Sequence, residues 1–256
     1  MRRRWATGLE PTRMKVVSSI RWLVVAMPLL PVLAPGQAKI QWQGYTWNVR
    51  QAVNEGPGPN RWSRSNVWID KQGDLHMKID KVDGQWCCPE IWTEKPLGFG
   101  TYQCHVEGRL DQLAPNVVFS MFSYAGPDGV NEIDIEFAKW GHAKEKNLWW
   151  TVYPSDASKK QTSHGIDIKL DGSYTTSRYK WTSAGVDYRF LGGHQATDSD
   201  TNTIGDWNFA PPDSAALVPQ KKLPLHFNLW LFEGKPPVDG KPIEFVVHDF
   251  TFKAAE

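Results

Sequence analysis

The sequence predicts an all-β protein, built as one antiparallel β-sandwich of two curved sheets. Short runs of β-branched and aromatic residues alternate with turn residues along most of the 256-residue chain. Its 14 Trp, 21 Gly and 18 Pro favour a turn-rich β protein over a helical bundle. Neither a repeat of fixed period nor a low-complexity linker interrupts residues 39–256, which we therefore expect to form a single domain.

Ten runs predict strands, and one short segment at 213–218 predicts a helical turn. Turn residues such as GPGPN at 56–60 and AGPDG at 125–129 separate the runs. In chain order, the predicted strands span residues 66–69, 75–79, 101–107, 117–124, 132–137, 148–153, 177–182, 186–191, 225–232 and 243–252.

The charge balance argues against several classes of function. The chain has 29 Lys and Arg against 28 Asp and Glu, a formal net charge of +1. Nucleic-acid-binding proteins usually carry a strong basic surface, and disordered chains combine high charge with few apolar residues. With 41% hydrophobic residues, this chain is long and apolar enough for a sizeable core, and we expect no nucleic acid among its partners.

The first 38 residues predict a signal peptide. Six basic residues precede an apolar run at 22–34, and the small residues Gly36 and Ala38 follow it. A membrane anchor is the alternative, but 13 residues interrupted by Pro28 and Pro31 are too few to span about 30 Å of hydrocarbon. Cleavage after Ala38 leaves residues 39–256 as a secreted or periplasmic protein without a membrane attachment.

Export also bears on the three cysteines. Cys87 and Cys88 are adjacent, and Cys104 lies on the next predicted strand. Because an oxidising compartment favours disulfides, we expect Cys104 to pair with either Cys87 or Cys88 and the third thiol to be buried. Successive strand side chains point to opposite faces, so only one of the adjacent pair faces Cys104. No spacing of Cys and His resembles a zinc site.

The segment NEIDIEF at 131–137 alternates acidic and apolar residues. In a strand, Glu132, Asp134 and Glu136 share one face, and the apolar residues between them enter the core. The Cα atoms of the two glutamates are then about 13 Å apart, and side chains that lean together on a curved sheet bring the carboxylates closer. Separations of about 5–5.5 Å suit retaining glycosidases and about 6.5–9.5 Å inverting ones, and the spacing alone leaves both open.

Three neighbouring carboxylates repel one another, which raises the pKa of at least one and leaves another ionised. This division suits glycoside hydrolysis, in which one carboxylate attacks the anomeric carbon and a protonated neighbour donates to the leaving oxygen. The alternative interpretation is an amphipathic strand that presents its acids to water.

EIDIEF at 132–137 resembles the signature of glycoside hydrolase family 16, in the uninterrupted E-x-D-x-E form typical of bacterial lichenases and plant xyloglucan transglycosylases. Four further segments are similar to family segments and follow the family's order. They are PEIWTEKPLGFGTYQ at 89–103, MFSYAG at 121–126, FNLW at 227–230 and FVVHDF at 245–250. The resemblance implies a β-jelly roll with a concave substrate cleft.

By this resemblance, Glu132 is the nucleophile, Asp134 its helper and Glu136 the general acid/base of a retaining mechanism. The implied protein is a monomeric, secreted hydrolase that cleaves internal bonds of a β-glucan with 1,3-1,4 or 1,3 linkages. Its partner is the polysaccharide, and catalysis needs no cofactor. Two alternatives stay open, a xyloglucan-type transglycosylase and a non-catalytic carbohydrate-binding jelly roll.

Seven residues are candidates for substrate binding. By the resemblance, Glu90, Asn228 and Trp230 match family positions that contact sugar, and Phe122 and Tyr124 line the cleft. Trp92 replaces an arginine of lichenases, and Trp149 replaces one of their polar contacts. Aromatic rings suit the apolar C–H faces of sugars, but each aromatic residue is also compatible with the sandwich core. The candidates are Glu90, Trp92, Phe122, Tyr124, Trp149, Asn228 and Trp230.

The resemblance also implies one structural Ca²⁺ on the convex side, bound by an Asp of the closing strand and by backbone carbonyls. Asp249 matches that strand position, and the turn at Gly73 can supply a carbonyl oxygen. An Asp249 that faces solvent is the alternative.

Overall fold

Two large antiparallel sheets make up the computed structural model, which describes residues 38–197 and 201–256. The described residues form eighteen strands. In chain order they are β1 (Ala38–Trp42), β2 (Tyr45–Val49), β3 (Ala52–Glu55), β4 (Asn60–Trp62), β5 (Val67–Ile69), β6 (Leu75–Val82), β7 (Gln85–Cys87), β8 (Glu90–Thr93), β9 (Gly100–Glu107), β10 (Val117–Tyr124), β11 (Glu132–Phe137), β12 (Leu148–Tyr153), β13 (Thr162–Ile166), β14 (Tyr174–Thr182), β15 (Gly185–Gly192), β16 (Thr203–Phe209), β17 (Leu225–Leu231) and β18 (Ile243–Ala254).

The first sheet, called the cleft sheet below, has the strand order β1-β2-β8-β17-β10-β11-β12-β13. The second, called the outer sheet, has the order β16-β15-β14-β9-β18-β6-β5, with β7 paired to β6. A separate hairpin joins β3 and β4. The predicted fold class, an all-β jelly-roll sandwich of two antiparallel sheets, is confirmed.

All ten predicted strands occur, and β10, β11 and β12 have the predicted bounds. The predicted helical turn is the short helix α1 (Ser214–Leu217). The sequence did not predict eight strands, namely β1, β2, β3, β4, β7, β8, β13 and β16. Most of these have only three to five residues, and pairing with a neighbouring strand holds them in register without a strong alternation of their own.

The core lies between the two sheets, and strand alternation decides which side chains enter it. On β9, Tyr102, Cys104 and Val106 are fully buried, while Gln103 and His105 lie on the outer face. By contrast, β10 and β17 are buried along nearly their whole length. One face of each strand meets the core, and the other lies at the bottom of a cleft.

The predicted disulfide is wrong, because the three cysteines are buried free thiols. Cys104 on β9 lies opposite Phe250 of β18. Cys87 on β7 lies opposite Asp80 of β6, and the preceding residue of β6, Ile79, pairs with Ile243 at the start of β18. Ile243 and Phe250 are seven residues apart on β18, a distance of about 23 Å along the strand, and the two cysteines are separated by a similar length. A disulfide needs Cα atoms within about 7 Å, so neither Cys87 nor the adjacent Cys88 reaches Cys104.

The predicted signal peptide lies almost entirely in residues 1–37, which are outside the described residues, so cleavage after Ala38 stays a prediction. Within the described chain, no helix has the length and apolar character needed to cross a membrane.

Candidate active site

The acidic strand β11 lies between β10 and β12 near the middle of the cleft sheet. Ile133 and Ile135 are fully buried on its core side. On the other side, Glu132, Asp134 and Glu136 all line one cleft of about 800 Å³. Alternation therefore directs the three carboxyl groups to the same cavity.

The residue before this strand adopts a left-handed conformation. Asn131 has φ 54°, and its N–H donates to the carbonyl oxygen of Pro154 at 2.8 Å. Asn tolerates this region better than most residues, because its short polar side chain bonds locally. The chain thus turns sharply at Asn131 and enters the sheet with Glu132 directed into the cleft.

Each acid is paired with one residue of β10 and one residue of β12. Directly opposed residues of antiparallel strands have Cβ atoms about 4.5–5.5 Å apart, so these neighbours form the immediate surroundings of the carboxyls. In register, Glu132 lies between Tyr124 and Tyr153, Asp134 between Phe122 and Thr151, and Glu136 between Ser120 and Trp149.

Burial raises the pKa of all three acids, and repulsion from neighbouring carboxylates adds to it for Glu132 and Asp134. Loss of hydration is the largest cause for Glu132, and the charges of Glu136, Asp128 and Glu90 add to it, which raises its pKa to about 8. Burial raises the pKa of Glu136 to about 7. Burial and the charges of both glutamates raise that of Asp134 well above its usual range. Because the three carboxyls interact, their titrations are coupled, and each protonation step belongs to the trio rather than to one residue. Near neutral pH the trio includes both protonated and ionised carboxyls.

Several polar atoms at the bottom of the cleft have no partner. Ser120 Oγ, Asp134 Oδ1 and Asn228 Oδ1 are buried without a hydrogen bond. Ser120 on β10 lies opposite both Glu136 and Asn228. Buried polar atoms in proteins are nearly always hydrogen-bonded, so this row is well suited to bind a polar ligand.

A second charged group flanks the acidic strand. Glu90 on β8 is 5% exposed, and its carboxylate accepts hydrogen bonds from Arg50 Nη1 at 2.7 Å and lies 3.1 Å from His226 Nδ1. Arg50 also contacts Glu55 at 3.2 Å and lies over the ring of Trp62, 4.3 Å from its centroid. Although burial raises the pKa of Glu90, His226 and Arg50 hold it below the usual range. Glu90 is therefore an ionised, fixed carboxylate.

The cleft contains an arginine, Arg50, although Trp92 replaces the arginine of lichenases. Arg50 follows β2, and its guanidinium lies in the cleft. Trp92 instead stacks on His226, with ring centroids 5.8 Å apart and planes at 14°. Phe122 stacks on the other side of His226 at 4.7 Å. The imidazole is thus held between two rings while it contacts Glu90.

Six of the seven predicted substrate-binding residues line the cleft together with the acidic trio, and Trp92 is outside the lining. The six are Glu90, Phe122, Tyr124, Trp149, Asn228 and Trp230. Their contact with sugar stays a prediction. Sequence reasoning missed other lining residues, including Arg50, Glu55, Ser120, Trp140, Thr151 and Tyr153. Ser120, Thr151 and Tyr153 had a usable signal, because they occupy alternate positions on the strands next to β11.

Asp249 and the carbonyl of Gly73 both have protein partners, and Ca²⁺ binding by these two residues stays a prediction. Asp249 Oδ1 is buried without a partner, but Oδ2 lies 2.8 Å from His105 Nδ1. The carbonyl of Gly73 accepts a hydrogen bond from the indole of Trp42 at 2.9 Å. Ca²⁺ takes six to eight oxygen ligands, and the nearest group to this carboxylate oxygen is the His105 imidazole, which itself stacks on His194. Within residues 38–197 and 201–256, no group of three or more His, Cys, Asp or Glu is arranged to hold a metal ion.

Comparison with known proteins gives matches by structure. No family model and no curated protein matches the sequence. A β-glucanase of Bacillus licheniformis matches with a TM-score of 0.58 at 18% identity, over 82% of this chain and 92% of that one. A glycoside hydrolase family 16 protein of Bacteroides ovatus, in complex with a mixed-linkage glucan product, matches with a TM-score of 0.62 at 13% identity, over 81% and 94%.

A third match is a pseudo β-1,3-glucanase of Mycobacterium tuberculosis, with a TM-score of 0.61 at 17% identity, over 82% of this chain and 91% of that one. The chain has the fold of the family 16 glucanases. This glucanase fold confirms, at the level of architecture, the resemblance that EIDIEF suggested.

Proposed function

We propose that the protein is a retaining glycoside hydrolase that cleaves internal bonds of a β-glucan. In the first step a carboxylate oxygen of Glu132 attacks the anomeric carbon, the glycosidic C–O bond breaks, and the leaving oxygen takes a proton from Glu136. In the second step Glu136 takes a proton from water, whose oxygen attacks the same carbon and releases Glu132. Two inversions restore the original anomeric configuration.

The placement of three carboxyls on one face of one strand, inside a cleft, carries this proposal. A merely amphipathic strand presents its acids to bulk water, where hydration and salt weaken their repulsion. Here Asp134 is only 3% exposed, and every group that shifts the pKa of the trio shifts it upward. Such an arrangement costs stability and is typical of active sites.

Asp134 supports the mechanism as the middle member of the trio. Burial and the charges of the two glutamates raise the pKa of Asp134, which favours its protonated form, and a protonated carboxyl can donate a hydrogen bond. A protonated Asp134 stabilises an ionised neighbouring glutamate without adding a second negative charge. This supports its assignment as the helper of Glu132.

The lining of the cleft supports a neutral sugar chain as the substrate. Besides the trio, Glu55, Glu90 and Asp128 line it, and the guanidinium of Arg50 is already bound by two carboxylates. This excess of negative charge repels sulfated or uronic acid polysaccharides. A neutral β-glucan with mixed 1,3-1,4 or 1,3 linkages fits best, and the product bound to the Bacteroides ovatus protein is a glucan of mixed linkage.

A polysaccharide panel tests the activity. The purified protein is incubated with mixed-linkage β-glucan, a β-1,3-glucan, xyloglucan and agarose, and new reducing ends and product linkages are measured. We expect reducing ends from the first or second substrate only. Redistribution of chain lengths with an added acceptor oligosaccharide, without new reducing ends, would identify a transglycosylase instead. Absence of any reaction with all four would contradict the proposal.

One observation favours a second candidate function, sugar binding without hydrolysis. With a pKa near 8, Glu132 is largely protonated at pH 7 and a poor nucleophile. A pseudo β-1,3-glucanase also has this fold. Calorimetry with mixed-linkage oligosaccharides, at pH values from 5 to 9, separates the two candidates. Binding that saturates at every pH without turnover supports the second candidate, and turnover that Glu136→Gln abolishes supports the first.

We also propose that the protein acts outside the cytoplasm after removal of residues 1–38. N-terminal sequencing of the protein recovered from the periplasm or medium of an expressing bacterium tests this. A first residue at Lys39 supports the proposal, whereas an intact N-terminus in the cytoplasm contradicts it.

A further inference from the structure

The turn that follows the acidic strand has an unusual residue at its centre. The N–H of His142 donates to the carbonyl oxygen of Lys139 at 2.8 Å. The two residues between them, Trp140 and Gly141, have φ values of 50° and 81°. Positive φ at both central positions, closed by this hydrogen bond, is the pattern of a type I′ turn.

Tryptophan is the wrong residue for such a position on local grounds. The first central residue of a type I′ turn is normally Asn, Asp or Gly, since a larger side chain crowds the backbone at positive φ. The other described non-glycine residues with positive φ agree with this preference, because all of them are polar. They are Gln43, Asn54, Asp83, Asn131 and Glu233. A bulky residue at positive φ is a true outlier, and such outliers cluster at functional sites.

Contacts from the rest of the molecule hold the turn in place. The N–H of Gly141 donates to the carbonyl oxygen of Pro115 at 2.8 Å. A Cβ on Gly141 would lie 3.3 Å from ring atoms of Phe232, so the turn packs closely on that ring. The indole of Trp140 lies at an angle to Trp230, with centroids 6.4 Å apart, and edge-on to Phe232 at 6.0 Å.

The indole of Trp140 lines the same cleft as Glu136, four residues earlier in the chain. It is half-buried, whereas Trp230 beside it is 6% exposed. Trp140 packs against the edge of the core, but unlike a fully buried core residue it keeps part of its surface exposed and lines the cleft. The strained backbone therefore places an accessible aromatic surface at the edge of the cleft.

We propose that Trp140 is a substrate-binding residue, whose indole stacks on the apolar C–H face of a glucosyl unit and forms, with Trp230, a sugar subsite beside Glu136. Stacking on a ring that is already fixed loses little conformational entropy on binding. This inference rests on the proposed function and adds the residue that binds one unit of the glucan chain.

Calorimetric titration with mixed-linkage β-glucan oligosaccharides of four to eight units tests this inference. The titrations use the Glu136→Gln protein, which removes turnover. We expect Trp140→Gly to weaken binding of the longer oligosaccharides about tenfold without lowering Tm, because glycine relieves the positive φ. Trp140→Phe keeps a ring and should lose less than threefold. Trp68→Ala, which removes an exposed indole on the outer sheet, is the matched control and should leave binding unchanged.

Equal affinities of Trp140→Gly and the parent for every oligosaccharide would overturn the inference while leaving the proposed function intact. If Trp140→Gly lowers Tm by more than about 5 °C, Trp140→Leu replaces it in the comparison with Trp140→Phe. Equal binding by the Leu and Phe variants then overturns a stacking role. Failure of the parent to bind any β-glucan oligosaccharide would instead refute the proposed function, and the subsite with it.

Discussion

Environment, rather than residue type, decides how the carboxyls of this cleft titrate. Glu90 and Glu132 line the same cavity and both lose hydration there. The pKa of Glu90 is lowered nonetheless, because His226 and Arg50 contact its carboxylate. The neighbours that shift Glu132 are carboxylates, so its pKa rises. Glu90 is thus a fixed anion, whereas Glu132 belongs to a trio of carboxyls that share protons.

The Arg50–Glu90 pair gives a first prediction. Arg50→Ala removes one partner and leaves a buried carboxylate under-compensated, so we expect a loss of about 2 kcal/mol in the free energy of unfolding. In the double variant Arg50→Ala/Glu90→Gln the charge is gone, and most of this loss should be recovered. Urea unfolding of the two variants, with Glu90→Gln as the control, measures both values. Equal losses in the single and double variants would show that Arg50 stabilises by packing on Trp62 instead.

At the scale of the element, β11 combines a stabilising face with a destabilising one. Ile133, Ile135 and Phe137 anchor the strand in the core. The three acids opposite them have raised pKa values and so keep their protons to higher pH than in the unfolded chain, and this difference makes stability depend on pH.

A second prediction follows from the sign of that dependence. A carboxyl whose pKa is raised in the folded protein favours folding most below about pH 4.5, and this contribution is lost as the pH rises toward the folded value of about 7 for Glu136. Glu136→Gln removes the titration and also one of the charges that shift Glu132. The Tm of this variant, relative to the parent, should therefore rise steadily from pH 5 to pH 8.

Scanning calorimetry at pH intervals measures this difference. Glu94→Gln is the control, because Glu94 forms an exposed ion pair with Lys39 outside the cleft. A difference between Glu136→Gln and the parent that is constant from pH 5 to pH 8 would contradict raised pKa values in the trio.

The neighbouring strands give a third prediction. Trp149 on β12 lies opposite Gly165 on β13, and a Cβ built on Gly165 would lie 2.7 Å from two atoms of the indole ring. Gly165→Ala must therefore displace the indole, at a cost of about 1–3 kcal/mol in stability. If Trp149 binds sugar, the KM for β-glucan should rise several-fold with little change in kcat.

Gly172→Ala is the matched control, since a Cβ at Gly172 meets no atom within 4 Å. It should leave both KM and stability close to those of the parent. An unchanged KM for Gly165→Ala, together with the expected loss of stability, would assign Trp149 to packing alone.

Sequence patterns predicted the elements wherever alternation was strong. β10, β11 and β12 have long runs with one face in the core, and their bounds were predicted correctly. The trio was predicted to share a face for the same reason. Arg50 and His226 were missed because they reach Glu90 from strands far away in sequence. Trp140 was missed because it lies at a turn position that tryptophan normally does not occupy, so the sequence does not predict the turn there.

At the scale of the whole molecule, predictions that depended on the pairing of distant strands were the weakest. The disulfide failed because the register of β18 keeps the cysteines far apart, which alternation within one strand cannot reveal. The tryptophans divide in a similar way. Trp47, Trp62, Trp150 and Trp181 fill the core, whereas other tryptophans line the cleft. Composition does not distinguish the two groups, because the packing of the two sheets decides which rings enter the core and which line the cleft.

The anomeric configuration of the first product tests the central claim most directly. Glu132 and Glu136 on one strand are proposed to act as nucleophile and general acid/base, and two successive inversions then return the β configuration. Proton NMR recorded during the first minutes of β-glucan hydrolysis distinguishes the anomers before mutarotation mixes them. We predict that the β anomer appears first and the α anomer follows by mutarotation. An α anomer that appears first would contradict the account.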